Sequence, residues 1–155
     1  MASRLLITLA AGVLLATGIA CSTAPDARTE ALSVQNEAHA LAVAGHIDEA
    51  IVHYTHAIAL DPSLALLYHG RGEAYAGKQD YASALDDYNK ALELDPARSA
   101  TYLDRGRAYF ATRNFAAADA DLQHAIDISA GDPDIFYPAR ALLDSIRSGD
   151  AALHQ

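Results

Sequence analysis

Stacked on itself at a period of 34 residues, the chain places Tyr68 over Tyr102, Gly72 over Gly106, Tyr75 over Tyr109 and Ala91 over Ala125. Carried backward, Ala50 aligns with Ala84 and Ala118, Ala57 with Ala91, and Pro62 with Pro96. This gives three copies, at 31–64, 65–98 and 99–132. A repeat of this length constrains the fold tightly. One such unit cannot bury its own apolar face, so stability has to come from stacking units in a row.

Within a copy the apolar residues fall at helical spacing. Ala50, Tyr54, Ala57 and Ile58 in the first copy correspond to Ala84, Tyr88, Ala91 and Leu92 in the second, and these steps mark one helix face. Each copy is interrupted at its middle, at AGH (44–46), GKQD (77–80) and TRN (112–114), where Gly, Asp and Asn favour a helix stop. Every copy therefore reads as helix, tight turn, helix. Alanine and leucine dominate a chain that is 52% hydrophobic and lacks tryptophan, and both residues lose little side-chain freedom in a helix. The small columns Ala38, Gly72, Gly106 and Ala50, Ala84, Ala118 let paired helices approach closely. Tyr68, Tyr75, Tyr102 and Tyr109 are expected to fill the space between successive pairs. Pro62 and Pro96 close their copies, because proline cannot continue a helix interior.

Tyr68, Gly72, Tyr75, Ala84, Tyr88, Ala91 and Pro96 resemble the tetratricopeptide repeat pattern almost completely. The third copy keeps Tyr102, Gly106, Tyr109, Ala118 and Ala125, with Leu122 for an aromatic and Ala130 for a proline. The first keeps Ala50, Tyr54, Ala57 and Pro62 behind a degenerate first helix. The resemblance covers 102 of 155 residues and implies an all-α solenoid of three helical hairpins. Ile135, Phe136, Ala139, Leu142, Leu143 and Ile146, stopped by Gly149, suggest a capping helix over the exposed end, within 133–155. Pro138 stands either in its first turn or at its start.

The resemblance also implies a function: first helices line a concave side whose outward residues grip a protein or peptide segment. Carried onto this sequence, that surface is Gln35 and His39, then Leu66, His69 and Glu73, then Leu103, Arg107 and Phe110. One subset of the family clamps a terminal carboxylate with Lys, Asn and Arg. The matching places here hold Gln35, His39, Gly70, Ala100 and Asp104, so that clamp is absent. The alternative for Glu73 and Arg107 is a plain ion pair across adjacent helices, worth little at a surface.

The N-terminus reads as an address. MASR precedes sixteen uncharged residues, Leu5 to Ala20, and then Cys21, the only cysteine. One positive residue before a short apolar run is the pattern of a bacterial secretory signal, and the run is short for a spanning helix. GIAC resembles the lipobox of bacterial lipoproteins, with Gly18 where that class prefers Leu. The resemblance implies acylation of Cys21, a membrane anchor, and a polar tether over 21–30. By analogy with enteric lipoproteins, Ser22 directs the protein to the outer membrane, facing the periplasm. Gly18 and Ala20 also satisfy ordinary signal cleavage, which would release a soluble protein.

Other chemistries find little support. The net charge of −9 disfavours nucleic acid, because an acidic surface repels phosphate backbones. No G-x-S-x-G elbow and no phosphate-cradling glycine motif occurs, so an enzyme is not expected and no cofactor is implied. His53 and His56 lie three apart on one helix face. Their columns read His53, Asp87, Asp121 and His56, Lys90, His124, which suggests a variable solvated face, and no metal is expected. Two alternatives to an envelope adaptor stay open: a homodimer completed end to end, and a histidine-dependent metal or pH response.

Overall fold

The structure, a computed structural model, describes residues 26–149. They form seven helices: α1 (Ala27–Val43), α2 (Ile47–Leu60), α3 (Ala65–Gly77), α4 (Tyr81–Leu94), α5 (Ser99–Ala111), α6 (Phe115–Ile128) and α7 (Pro133–Ser148). No strand occurs among the described residues. The segment expected as a signal, Cys21 and residues 22–25 of the expected tether lie outside them. None of the described helices is long and apolar enough to cross a membrane. The 34-residue period governs the ends as well as the interiors: first helices stop at 43, 77 and 111, and second helices start at 47, 81 and 115.

The local chemistry explains these boundaries. Each mid-copy turn puts one residue in the left-handed region, Gly45, Gln79 or Arg113. Asp80 then caps α4 by accepting from the Ser83 N–H at 3.2 Å, as Asn114 caps α6 and Asp132 caps α7. Between copies, proline pushes the preceding Asp61 and Asp95 into extended geometry. Their carboxylates accept the N–H two residues on, from Ser63 at 3.0 Å and Ala97 at 3.2 Å. Asp26 accepts from the Thr29 N–H at 2.7 Å and starts α1 at Ala27, so residues 27–30 of the span expected as a tether are helical. In α7, Pro133 occupies the first turn and Pro138 lies inside the helix.

The small columns behave as expected, and the large ones less so. A Cβ on Gly72 would stand 2.7 Å from the Tyr88 ring, and one on Gly106 would stand 2.9 Å from Leu122. Among the fully buried large side chains, Tyr54, Tyr88 and Leu122 stand one per second helix, while Leu67 lies in α3 and Leu143 in α7. Tyr75, Tyr102 and Tyr109 pack only at the margins of the core clusters. Tyr68 and Tyr102 instead carry Arg71 and Arg105 over their rings, at 5.9 and 5.4 Å. The capping helix seats Ile135, Ala139 and Leu143 in one cluster with Leu103, Ala118, Leu122 and Ala125. Arg147 joins it to α6 through Asp119 at 2.8 Å.

Those arginines belong to a ladder of polar rungs. Arg71 donates from Nε and Nη2 to both Asp87 oxygens at 2.8 Å, and Arg105 does the same to Asp121 at 2.7 and 2.8 Å. The remaining Nη1 reaches back to the preceding hairpin, to Thr55 at 3.1 Å or Asn89 at 2.7 Å. Asp87 and Asp121 are buried, so their column is no solvated outer face. In the first copy the polarity reverses: Glu37 faces His53 at 3.5 Å, both well exposed.

Candidate functional site

First helices touch one another along the stack, α1 to α3 and α3 to α5, while second helices of neighbouring copies do not. The stack therefore curves with α1, α3 and α5 on its inner side. Here a cavity of about 240 Å³ opens between α1, α2 and α3. His39, Ala42 and Val43 form one wall, Ile47 and Tyr54 the base, and Glu73 the facing rim. Gly70 makes the base possible, since a Cβ there would stand 2.6 Å from the Tyr54 ring. Val43 is 76% exposed, an apolar side chain at the mouth.

The eight surface residues expected from the sequence separate into groups. His39 and Glu73 border the cavity, and Arg107 is exposed beside them along α5. Gln35, Leu66 and Phe110 are half-buried, and Phe110 packs edge-on against Phe115 at 5.6 Å. Leu103 does not face a partner. It is 3% exposed, because α7 closes over α5 and takes it into the last core cluster. His69 is also sunk, at 6% exposure. Arg107 does not pair with Glu73 but with Asp104 on its own helix, at 2.9 Å.

His69, Glu73 and Asp104 converge between α3 and α5. His69 and Glu73 are one turn apart on the same face of α3, and α5 brings Asp104 opposite. His69 Nδ1 is held by the buried Thr101 hydroxyl at 3.0 Å. Its Nε2 stands 3.5 Å from Glu73 Oε2 and 3.8 Å from Asp104 Oδ2. Burial first, and then the charge of Arg98, pushes the imidazole down to about 4, so it is neutral at physiological pH. Partial burial, and then the charge of Asp104, pushes the Glu73 carboxyl up to about 7. Burial also raises Asp104, against the pull of Arg107 and Arg98. Sequence reasoning missed Thr101 and the meeting of Asp104 with His69. Asp104 entered it only as a clamp position lacking the right residue.

Two profiles of one family match the sequence: Tetratricopeptide repeat over residues 72–144, and TPR repeat over residues 38–79. The first TPR domain of human RPAP3 is 25% identical, with a TM-score of 0.74 over 83% of this chain and 99% of that one. The first TPR of Spaghetti (RPAP3), solved with the HSP90 peptide SRMEEVD, is 27% identical, with a TM-score of 0.73 over 78% and 93%. The type III secretion translocator chaperone SycD of Yersinia enterocolitica shares the fold at 15% identity and a TM-score of 0.74, over 77% and 93%. Among curated proteins, serine/threonine-protein phosphatase T of Schizosaccharomyces pombe is 46% identical over 55 residues, 36% of this chain and only 12% of the enzyme's length. The two profile matches between them run from residue 38 to residue 144, and over that stretch the chain carries tetratricopeptide repeats.

Proposed function

We propose that the protein is a non-catalytic adaptor that seats a peptide segment of a partner protein on its inner face, held at a bacterial envelope membrane by acyl chains on Cys21. The observation that carries the peptide reading is the cavity between α1, α2 and α3. Its apolar Ala42, Val43 and Ile47 lie beside the polar His39 and Glu73, the mixture that recognises an apolar anchor flanked by a charge. The relative solved with SRMEEVD supports peptide binding as the use of such a surface. That peptide is acidic, whereas the inner face here presents Glu73 and Asp104, and the clamp positions hold Gln35, His39, Gly70, Ala100 and Asp104 with no Lys, Asn or Arg. The segment recognised by this chain is therefore read as one with an apolar side chain and no reliance on a terminal carboxylate. Placement at the outer membrane rests on the apolar run before Cys21 and on Ser22.

Selection of displayed random peptides on the immobilised chain tests the binding reading, with a His39→Asp, Val43→Glu variant beside the wild type. Both positions are exposed, so the variant is expected to fold. Peptides sharing an apolar anchor, retained by the wild type and lost by the variant, support the reading. Failure to enrich any peptide, or equal retention by both proteins, overturns it. Metabolic labelling with a palmitate analogue, lost in Cys21→Ser, tests the anchor separately.

A further inference from the structure

We propose that His69 Nε2, a Glu73 carboxylate oxygen and Asp104 Oδ2 bind one divalent transition-metal ion of the zinc class between α3 and α5. The three ligand atoms all lie within 4.8 Å of one another. Zinc–nitrogen and zinc–oxygen bonds of about 2.0–2.1 Å put tetrahedral ligands roughly 3.3 Å apart. The separations from Nε2, 3.5 and 3.8 Å, need only small rotations of two carboxylates to reach that value.

The histidine is prepared in the way metal-binding histidines are. Thr101 Oγ1 lies 3.0 Å from His69 Nδ1, and in the tautomer that donates its Nδ1 proton to that hydroxyl the ring turns the Nε2 lone pair toward the carboxylates. The His69 side chain is 8% exposed, yet Nε2 makes no hydrogen bond among the described residues. Both carboxylate oxygens stand beyond the usual N–H···O distance. An imidazole nitrogen that faces two carboxylates at 3.5 and 3.8 Å, on a side chain 8% exposed, fits a ligand position. Asp104 is oriented too, because Arg107 holds Oδ1 at 2.9 Å and leaves Oδ2 facing the imidazole. The imidazole nitrogen favours zinc-class ions over magnesium or calcium, which prefer all-oxygen sets. The sequence pair His53 and His56 is not the site, since His53 faces Glu37. The proposal does not depend on the chain having a peptide partner.

The test uses the full chain freed of metal with a chelator and then titrated with Zn²⁺ by calorimetry and with Co²⁺ by visible absorption. One ion per chain and a Co²⁺ ligand-field band are expected. Glu73→Gln and Asp104→Asn, which keep shape and remove charge, should each weaken binding at least about tenfold, and Thr101→Val should weaken it about 10–100-fold. His69→Gln should abolish the band, and the two carboxamide variants keep the test decisive if His69→Gln unfolds. Absence of binding overturns the proposal, as does binding that Glu73→Gln and Asp104→Asn leave unchanged.

Discussion

Replacing Arg71 by Met tests whether the buried rungs or the apolar columns hold the hairpins together. Arg71 is 19% exposed and Asp87 8% exposed at the side chain, and two bonds of 2.8 Å join them. Removing the guanidinium strands a carboxylate that the fold has taken out of water. Breaking a buried pair in this way costs about 3–5 kcal/mol, and the partial exposure of Arg71 places the expected loss near the lower end, about 3 kcal/mol. For a folded region of this size that lowers the melting temperature by roughly 10 °C. Arg71→Met combined with Asp87→Leu should recover most of the loss, because a buried ion pair replaced by apolar side chains is about neutral. Arg105→Met should match Arg71→Met, since its rung has the same geometry. Glu37→Ala should stay within about 0.5 kcal/mol, its partner being 3.5 Å away and both side chains open to solvent. Urea unfolding followed by circular dichroism gives all four values. A loss below about 1 kcal/mol for Arg71→Met would show that the rung behaves as an ordinary surface pair and refute this reasoning.

Gly70→Ala pushes a methyl group to within 2.6 Å of the Tyr54 ring and should cost about 1–3 kcal/mol by thermal melt, with Tyr54→Leu in the same chain restoring part of it. Gln79→Gly and Arg113→Gly relieve left-handed residues at φ 62° and should each stabilise by about 0.5 kcal/mol in urea; a loss of stability at both would contradict the strain. In metal-free protein the inner cluster sets two opposing pH dependences. His69, lowered to about 4, binds fewer protons folded than unfolded, so its contribution is lost as pH falls from about 6.5 to 4. Glu73, raised to about 7, binds more protons folded, so stability from it rises as pH falls from 7 toward 4.5. Glu73→Gln should therefore steepen the loss of stability on acidification below pH 6.5, read from urea midpoints in chelator; an unchanged slope would count against the opposition.

Local spacing carried most of the fold. Gly72 and Gly106, the alanines opposite them and the Asp-Pro breaks each act within a turn or a single helix contact, so one column shows the reason. The rungs were hidden because Arg71 and Asp87 lie sixteen residues apart, across the hairpin turn. Read singly, the column His53, Asp87, Asp121 looks variable. Read against Glu37, Arg71, Arg105 it is a set of complementary charges, reversed in the first copy, and that pairing was available in the sequence. Leu103 was misplaced for a different reason. In its column, Gln35, His69, Leu103, the last two are covered by the following element: Thr101 of α5 meets His69, and α7 covers Leu103. A helix-face argument within one copy does not include that cover. The meeting of His69 with Asp104 likewise depends on how closely successive hairpins stack.

The cavity on the inner face is walled by the one hairpin, among those described, whose helices are not joined by a buried arginine. Its rung is the open contact of Glu37 with His53, and its α1 has no earlier repeat behind it among the described residues. The neighbouring hairpins are cross-braced by guanidinium groups that also grip the helix before them. One jaw of the groove is therefore held by apolar packing without a buried ion pair, and the other by apolar packing together with buried ion pairs. Moving α1 outward breaks the apolar packing of Ala31 and Ala38 and a solvated contact but no buried ion pair, whereas moving α3 or α5 breaks a braced one as well. On the proposed reading, a segment seated there would find its more adjustable wall at α1 and its fixed wall at α3.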